Sequence, residues 1–287
     1  MFGFILAFIA AVSKATTDLF AKKGFEKTDE YVIVFALRFF SLPFLLLTLP
    51  FIKIPTLDST FYLAAILSTL LNIGTTILYF KAIKISPLSL TIPFLSFSPV
   101  FLLIPSFFIL GEFPGIYGLL GIFVIVFGAY MLNAKKAKDG LLAPIKALMN
   151  EKGSRYMLAV TFLYSLTTTL DKIAINHSSP MFYAFVFNLF LTIALFPVML
   201  KFSNNHIHDI KLHKNALLPI GFFAALASIA QFLAISMILV VYVSAIKRTA
   251  SLFSIAYGKY FFKEDNIKER LLGAIVMIMG VLAITLL

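Results

Sequence analysis

The chain has 287 residues, 61% of them hydrophobic and 13% charged, with a mean hydropathy of +0.99, a balance that excludes an ordinary water-soluble domain. Its net charge of +11 comes mostly from Lys and Arg in short segments beside apolar runs, where they set topology and meet anionic lipid headgroups, so nucleic acid is not an expected partner. The absence of Cys excludes disulfides, thiolate metal sites and iron–sulfur clusters.

Apolar runs of roughly 20 residues, each about long enough to cross a ~30 Å hydrocarbon core as a helix, recur along the whole chain. Charge, Pro and Gly punctuation predicts ten helices at 2–22, 31–52, 60–81, 88–110, 115–133, 156–176, 181–201, 215–236, 239–262 and 267–287. The first run lacks a basic start and continues without a clear cleavage site into ATTDLFAKK, so it reads as a retained helix rather than a signal peptide. The stretch 134–155, with Lys135, Lys136, Lys138, Lys146, Lys152 and Arg155, is a basic linker that divides a first half, 1–133, from a second, 156–287.

The halves resemble each other. An offset of 152 places Phe232, Ala234 and Ile235 on Phe80, Ala82 and Ile83, Phe253 on Phe101, and Glu264 on Glu112. It also places Leu271, Leu272 and Gly273 on Leu119, Leu120 and Gly121, Val276 on Val124 and Gly280 on Gly128. Five crossings per copy is an odd number, so a second copy must be inserted upside down. The expected fold is an all-α membrane protein of ten transmembrane helices in two inverted five-helix repeats. That architecture suits alternating access, because exchanging the conformations of the two copies exchanges the open face.

Polar residues inside apolar spans are costly and point to function. In the ninth helix Ser244, Lys247, Ser251 and Ser254 fall at i, i+3, i+7 and i+10, one helical face, with Arg248 beside it. Two readings stand for the cations: an anion site in which Arg248 holds a carboxylate or phosphate through two hydrogen bonds and Lys247 adds a point charge, or a buried ion pair with Asp18 or Asp171. In the first helix Lys14, Asp18 and Lys22 are spaced by four, so Asp18 either satisfies Lys14 or acts as a coupling site for a proton or cation. Asp171, beside Lys172 near the end of the sixth helix, is the other coupling candidate, while Lys172 either continues a polar stripe of Ser165, Thr168 and Thr169 or lies at the interface. Arg38 either contacts substrate or pins the second helix to a neighbour. Tyr79 and Gln231 are counterparts under the offset, as are Ser96 and Arg248, so positive charge is concentrated on the second half. Glu112 and Glu264 precede helices five and ten, where a carboxylate favours a helix N-terminus.

His206, His208 and His213 with Asp209 are too loosely spaced for a metal site, and the segment reads as a solvated loop. No nucleophile–base–acid set, glycine-rich phosphate loop or zinc motif is present, so neither an enzyme, a cofactor nor direct drive by ATP is expected.

The segment FKAIKISPLSLTIPFLSFSPVFLLIPSFFILGEFPGIYGLLGIFVIVFGAYML and its second copy resemble the paired repeats of the drug/metabolite transporter superfamily, in its EamA-like ten-helix branch. The features that carry the resemblance are Ala82, Pro99, Gly111, Glu112 and Gly121 in the first copy and Glu264 and Gly273 in the second, with Lys22 and Arg38. The second copy departs at Lys263, where the first has Gly111, and at Ser251, where the first has Pro99. The resemblance implies a secondary transporter. The expected substrate is a small polar or anionic metabolite: an amino acid, a carboxylate or a phosphorylated compound. A drug or lipid-carrier exporter of the same fold and a non-transporting scaffold subunit are the alternatives. The expected substrate residues are Lys247, Arg248, Ser244, Ser251, Lys14, Asp18, Arg38, Gln231 and Tyr79. The expected setting is a bacterial inner (plasma) membrane, with lipid contact and a monomeric or homodimeric state. Basic residues concentrated on the linker side place that side in the cytoplasm and both termini outside, whereas the resemblance implies both termini in the cytoplasm.

Overall fold

The computed structural model describes residues 1–25, 28–85, 95, 97–131, 152–203, 206–262 and 267–286, and among these every regular element is helical. The helices are α1 (Phe2–Phe25), α2 (Glu30–Phe39), α3 (Leu42–Leu46), α4 (Ser59–Ile85), α5 (Ser98–Leu110) and α6 (Ile116–Met131). They continue as α7 (Lys152–Asn176), α8 (Pro180–Phe202), α9 (His206–Met237), α10 (Val240–Lys247), α11 (Ala250–Phe262) and α12 (Ile267–Leu286). Six stretches among the described residues are long and apolar enough to span a membrane: Phe2–Gly24, Glu30–Phe51, Ser59–Ala82, Lys152–Asn176, Pro180–Phe202 and Leu217–Met237. Ser98–Leu110, Ile116–Gly128 and Ile275–Ile284 are apolar but shorter. Ten spans were expected, and six reach full length here.

Three predicted helices are corrected. The second, expected unbroken over 31–52, stops at Phe39 and resumes as α3 and then a 3-10 turn over Leu49–Phe51. Pro43 and Pro50 lack the N–H that would continue the ladder, and local hydroxyls serve carbonyls at the breaks: Ser41 Oγ donates to Arg38 O and Thr48 Oγ1 to Leu45 O, both at 2.7 Å. The eighth, expected to start at 215, starts at His206, so the histidine segment read as a loop is the first turns of α9. The ninth, expected over 239–262, is two helices that meet at Arg248 and Thr249. The linker falls mostly outside the described residues, except that 152–155 form the first turn of α7.

The 152 offset maps elements as well as residues. It carries α5 onto 250–262, the bounds of α11, and carries α6 onto 268–283, inside α12. It likewise carries α1 onto 154–177, against α7 at Lys152–Asn176, and α4 onto 211–237, within α9.

The chain forms two compact units, each drawing on both halves of the sequence: Phe2–Ile73 with Leu170–Met237, and Gly74–Thr169 with Ile238–Leu287. In the first, α1 packs on α9, and α2 packs on α8 and α9. Ala21, Ile33, Ala36, Leu217 and Ile220 form a buried cluster there, with Phe20, Leu37 and Phe40 against it. Gly221 of α9 lies so close to Phe40 that a Cβ would strike its main chain.

In the second unit α6 packs on α12 along a glycine seam. A Cβ on Gly121 would lie 2.5 Å from Ile284 Cγ1 and 2.9 Å from Gly280 O, and one on Gly128 would lie 2.7 Å from Met277 N and 2.8 Å from Gly273 O. Moving up α6 therefore means moving down α12, so the two helices are antiparallel. Small residues let membrane helices approach this closely, which is where dispersion and weak polar contacts gain. Under the offset Gly121 corresponds to Gly273 and Gly128 to Gly280. Each glycine thus faces the counterpart of the other, the self-complementary pattern of a two-fold contact.

Candidate functional site

The second unit holds the two adjacent cations. At the end of α10 the backbone tightens: Arg248 N donates to Ala245 O at 3.0 Å and Thr249 N to Ile246 O at 2.9 Å, both i to i−3. Hydroxyls again serve the carbonyls at the break, with Thr249 Oγ1 on Ile246 O at 2.6 Å and Ser251 Oγ on Arg248 O at 2.8 Å. The Arg248 side chain reaches back and across, Nε donating to Ser244 O at 3.2 Å and Nη1 to Leu95 O at 3.0 Å. A guanidinium carries five N–H donors, so both hydrogens of Nη2 and one of Nη1 remain, with no carboxylate partner among the described residues. Tyr79 and Tyr164 lie within electrostatic reach of this charge.

Ser244 is buried, and its hydroxyl shares a hydrogen bond with Ser98 at 3.1 Å, joining α10 to the start of α5. Lys247 sits one residue before the break, partly exposed. Ser251, expected on the cation face, spends its hydroxyl on the break instead.

The far end of α10 is set by α5. Gly111 closes α5 in the left-handed region (φ 67°), which a glycine adopts without strain, and the chain returns through Gly111 N to Phe107 O and Glu112 N to Ser106 O. That turn places Glu112, whose Oε2 accepts from Val240 N at 3.1 Å. The residue at the α10 N-cap is Leu239, which has no side-chain acceptor, and Glu112 supplies one along with a favourable charge. The sequence placed Glu112 before helix five; its carboxylate serves α10. Glu264, Ser96 and Lys263 fall outside the described residues.

The first unit holds the remaining candidates. Lys14 Nζ and Asp18 Oδ1 pair at 2.5 Å, one turn apart and half-exposed. Arg38 Nη1 donates to Asn188 Oδ1 at 3.1 Å, and its guanidinium lies 5.3 Å from the Phe187 ring centre, tying α2 to α8. Asn188 in turn donates to Ser228 Oγ at 3.3 Å. Lys172, for which an interface position is one of two readings, is 9% exposed and donates to Ile235 O at 2.6 Å, in the last turn of α9 where carbonyls lack helical partners. Asp171 is 4% exposed and accepts from Ser68 Oγ at 2.5 Å and Tyr183 Oη at 2.6 Å. Gln231 is partly buried on α9.

A family model for EamA-like transporters matches residues 1–134 and 151–286. The chain belongs to the EamA-like transporter family. It is therefore an integral membrane protein of a transporter family, and the two matched segments are the two copies of the repeat. No curated protein matches the chain. A solved structure described only as "Crystal structure of protein" superposes with a TM-score of 0.77 at 15% identity, covering 99% of this chain and 98% of that one. At that identity the likeness shows the fold.

Sequence reading missed several polar groups that this family member places beside the expected ones. Ser68 and Tyr183 are 103 and 12 residues from the carboxylate they serve, and Asn188 is 150 residues from Arg38. A buried carboxylate demands donors, so the need for them was legible; helical spacing carries no signal of which distant hydroxyls meet it. Leu95 contributes a main-chain carbonyl, which no residue type announces.

Proposed function

We propose that this protein is a secondary active transporter that moves a small anionic metabolite by alternating access, built as ten membrane helices in two inverted five-helix repeats. Support for the inversion comes from α6 and α12, counterparts under the offset that pack antiparallel with matched glycines.

Arg248 is the substrate residue, and one observation carries that assignment. Its guanidinium is fixed by two main-chain carbonyls at a helix break, with three N–H donors left over and no carboxylate partner among the described residues. Carbonyl contacts orient the planar fork without neutralising it. A carboxylate or phosphate oxygen pair then meets donors already aligned, so little ordering entropy is lost on binding. Broken helices of this kind recur at midplane sites of secondary transporters. Lys247 adds a point charge, Ser244 and Tyr79 line the same unit, and Ser251 holds the break. Arg38 is a structural tie between α2 and α8.

The test is thermal unfolding of the purified protein with inorganic phosphate, glutamate, a dicarboxylate and a nucleoside monophosphate, in parallel with Arg248→Gln. A ligand at a hundred times its Kd stabilises by about 2.7 kcal/mol. A shift from one of these anions that disappears in the variant is the expected result. A shift that persists in Arg248→Gln, or none from any anion, overturns the assignment.

A further inference from the structure

The charge on Asp171 has no part in the anion site just described, and it lies in one of the full-length spans, Lys152–Asn176. From the surrounding groups we infer that Asp171 is a proton-binding site that alternates between carboxylate and carboxylic acid. It is then the coupling group of the transport cycle, a role that rests on the transporter reading above.

The argument starts from the donors. Ser68 of α4 and Tyr183 of α8 both direct hydroxyls to the same oxygen, Oδ1, at 2.5 and 2.6 Å, and both side chains are fully buried. Asn72 extends the chain by donating through Nδ2 to Ser68 Oγ at 3.2 Å and to Ser68 O at 2.9 Å. Hydroxyls differ from N–H groups in being amphoteric, since each donates one hydrogen and accepts on its lone pairs. A shell of N–H donors suits only the anion, because protonation leaves a donor facing a donor. Ser68 and Tyr183 suit both states: they donate to the carboxylate, and rotation of an O–H turns either oxygen into an acceptor for the acid proton. The site therefore keeps these two hydrogen bonds whether charged or neutral. A carboxylate sunk in an apolar span without that freedom is costly in one of its two states.

Away from the ends of the spans, the charged and titratable groups on the elements packed in this unit are the following. On α7 the neighbour is Lys172, whose ammonium is carried to the Ile235 carbonyl of α9. On α8 it is Tyr183 itself. On α4 the facing groups are the neutral Ser68 and Asn72. On α1 Lys14 and Asp18 pair with each other, and on α2 Arg38 donates to Asn188. The step is simple: a hydronium ion gives its proton to the Asp171 carboxylate, forming the acid and water, and the reverse reaction returns the proton to water. No electrons move.

Infrared difference spectroscopy of the full-length protein in lipid, between acid and alkaline buffer, reads the carbonyl stretch of a protonated carboxyl directly and needs no substrate. Its outcome is thus independent of whether Arg248 binds an anion. The expected result is a band that appears on acidification, is missing in the isosteric Asp171→Asn variant, and returns at altered frequency in Asp171→Glu. Tyr183→Phe keeps the ring but removes one hydrogen bond, and its band is expected at higher frequency because hydrogen bonding weakens the C=O bond. A wild-type protein with no such band, or a band that persists unchanged in Asp171→Asn, overturns the inference.

Discussion

Replacing Gly280 by Ala tests the glycine seam and the repeat together. The new Cβ would stand 2.7 Å from Ile125 Cγ1, 2.8 Å from Gly121 O and 2.8 Å from Ile125 N. Two of those three atoms are main chain on α6, so no side-chain rotation relieves them. Ordinary contact begins near 3.4 Å, and 3.4 less 2.8 requires α6 and α12 to part by about 0.6 Å along the seam. A gap of roughly 0.5–1 Å forfeits a quarter to a half of each dispersion contact it opens. Overpacking of this kind costs about 1–3 kcal/mol, or a Tm lowered by roughly 2–10 °C in a chain of this size. The two-fold pattern adds a second demand. Gly128 is the counterpart of Gly280 and meets Met277 N and Gly273 O in the same manner, so Gly128→Ala is expected to fall by a similar amount. Gly118→Ala falls less, because the obstacle is the Tyr242 ring, which can swing. Gly74→Ala holds or gains about 0.5–1 kcal/mol, because its Cβ meets nothing within 4 Å and the helix interior prefers Ala. Circular dichroism melts of the four variants in detergent give the comparison. Gly280→Ala and Gly128→Ala melting with wild type, or Gly74→Ala falling as far as they do, would refute the reasoning.

Glu112→Gln keeps an acceptor for Val240 N but removes the charge at the N-terminus of α10, and is expected to lower stability by about 0.3–1 kcal/mol. Glu112→Ala, which removes both, is expected to lower it further in the same melts. Outside the spans, the Phe61 N–H is the main cause holding the Asp58 carboxyl below its ordinary value, with His177 contributing. A depressed carboxyl stabilises the fold above its unfolded pKa of about 3.9 and loses that contribution as pH falls through the folded value. The Tm difference between wild type and Asp58→Asn is therefore expected to be present at neutral pH and to shrink below about pH 4. His177→Ala is expected to leave most of that difference in place.

Much of the fold was legible because lipid leaves few choices. An apolar run of the right length must become a helix, so α1, α4, α7, α8 and α12 match their predicted spans to within a few residues. The failures have local causes. Proline removes ladder donors inside the second span, and at Arg248 the hydroxyls of Thr249 and Ser251 give carbonyls a partner other than the helix, which hydropathy does not register. The histidine segment was read from its polarity as loop, yet its backbone continues α9. The site was legible in its charges and not in their partners. Lys14 and Asp18, one turn apart, could be paired from spacing alone. Arg38 with Asn188, and Asp171 with Ser68, join residues more than a hundred positions apart, and only the fold brings them together.

Each compact unit needs segments from both halves of the chain, and this shapes how the protein is made. The main partner of α1 is α9, which begins about 180 residues after α1 ends. At synthesis rates of about 5–20 residues per second, α1 waits roughly 10–40 s in the membrane before that partner exists. It must survive the interval on its own hydropathy, with Lys14 and Asp18 masking each other's charge in lipid. A ribosome that stalls between the repeats therefore leaves two half-built units rather than one finished domain, and the exposed seams of both are what a quality-control protease would meet.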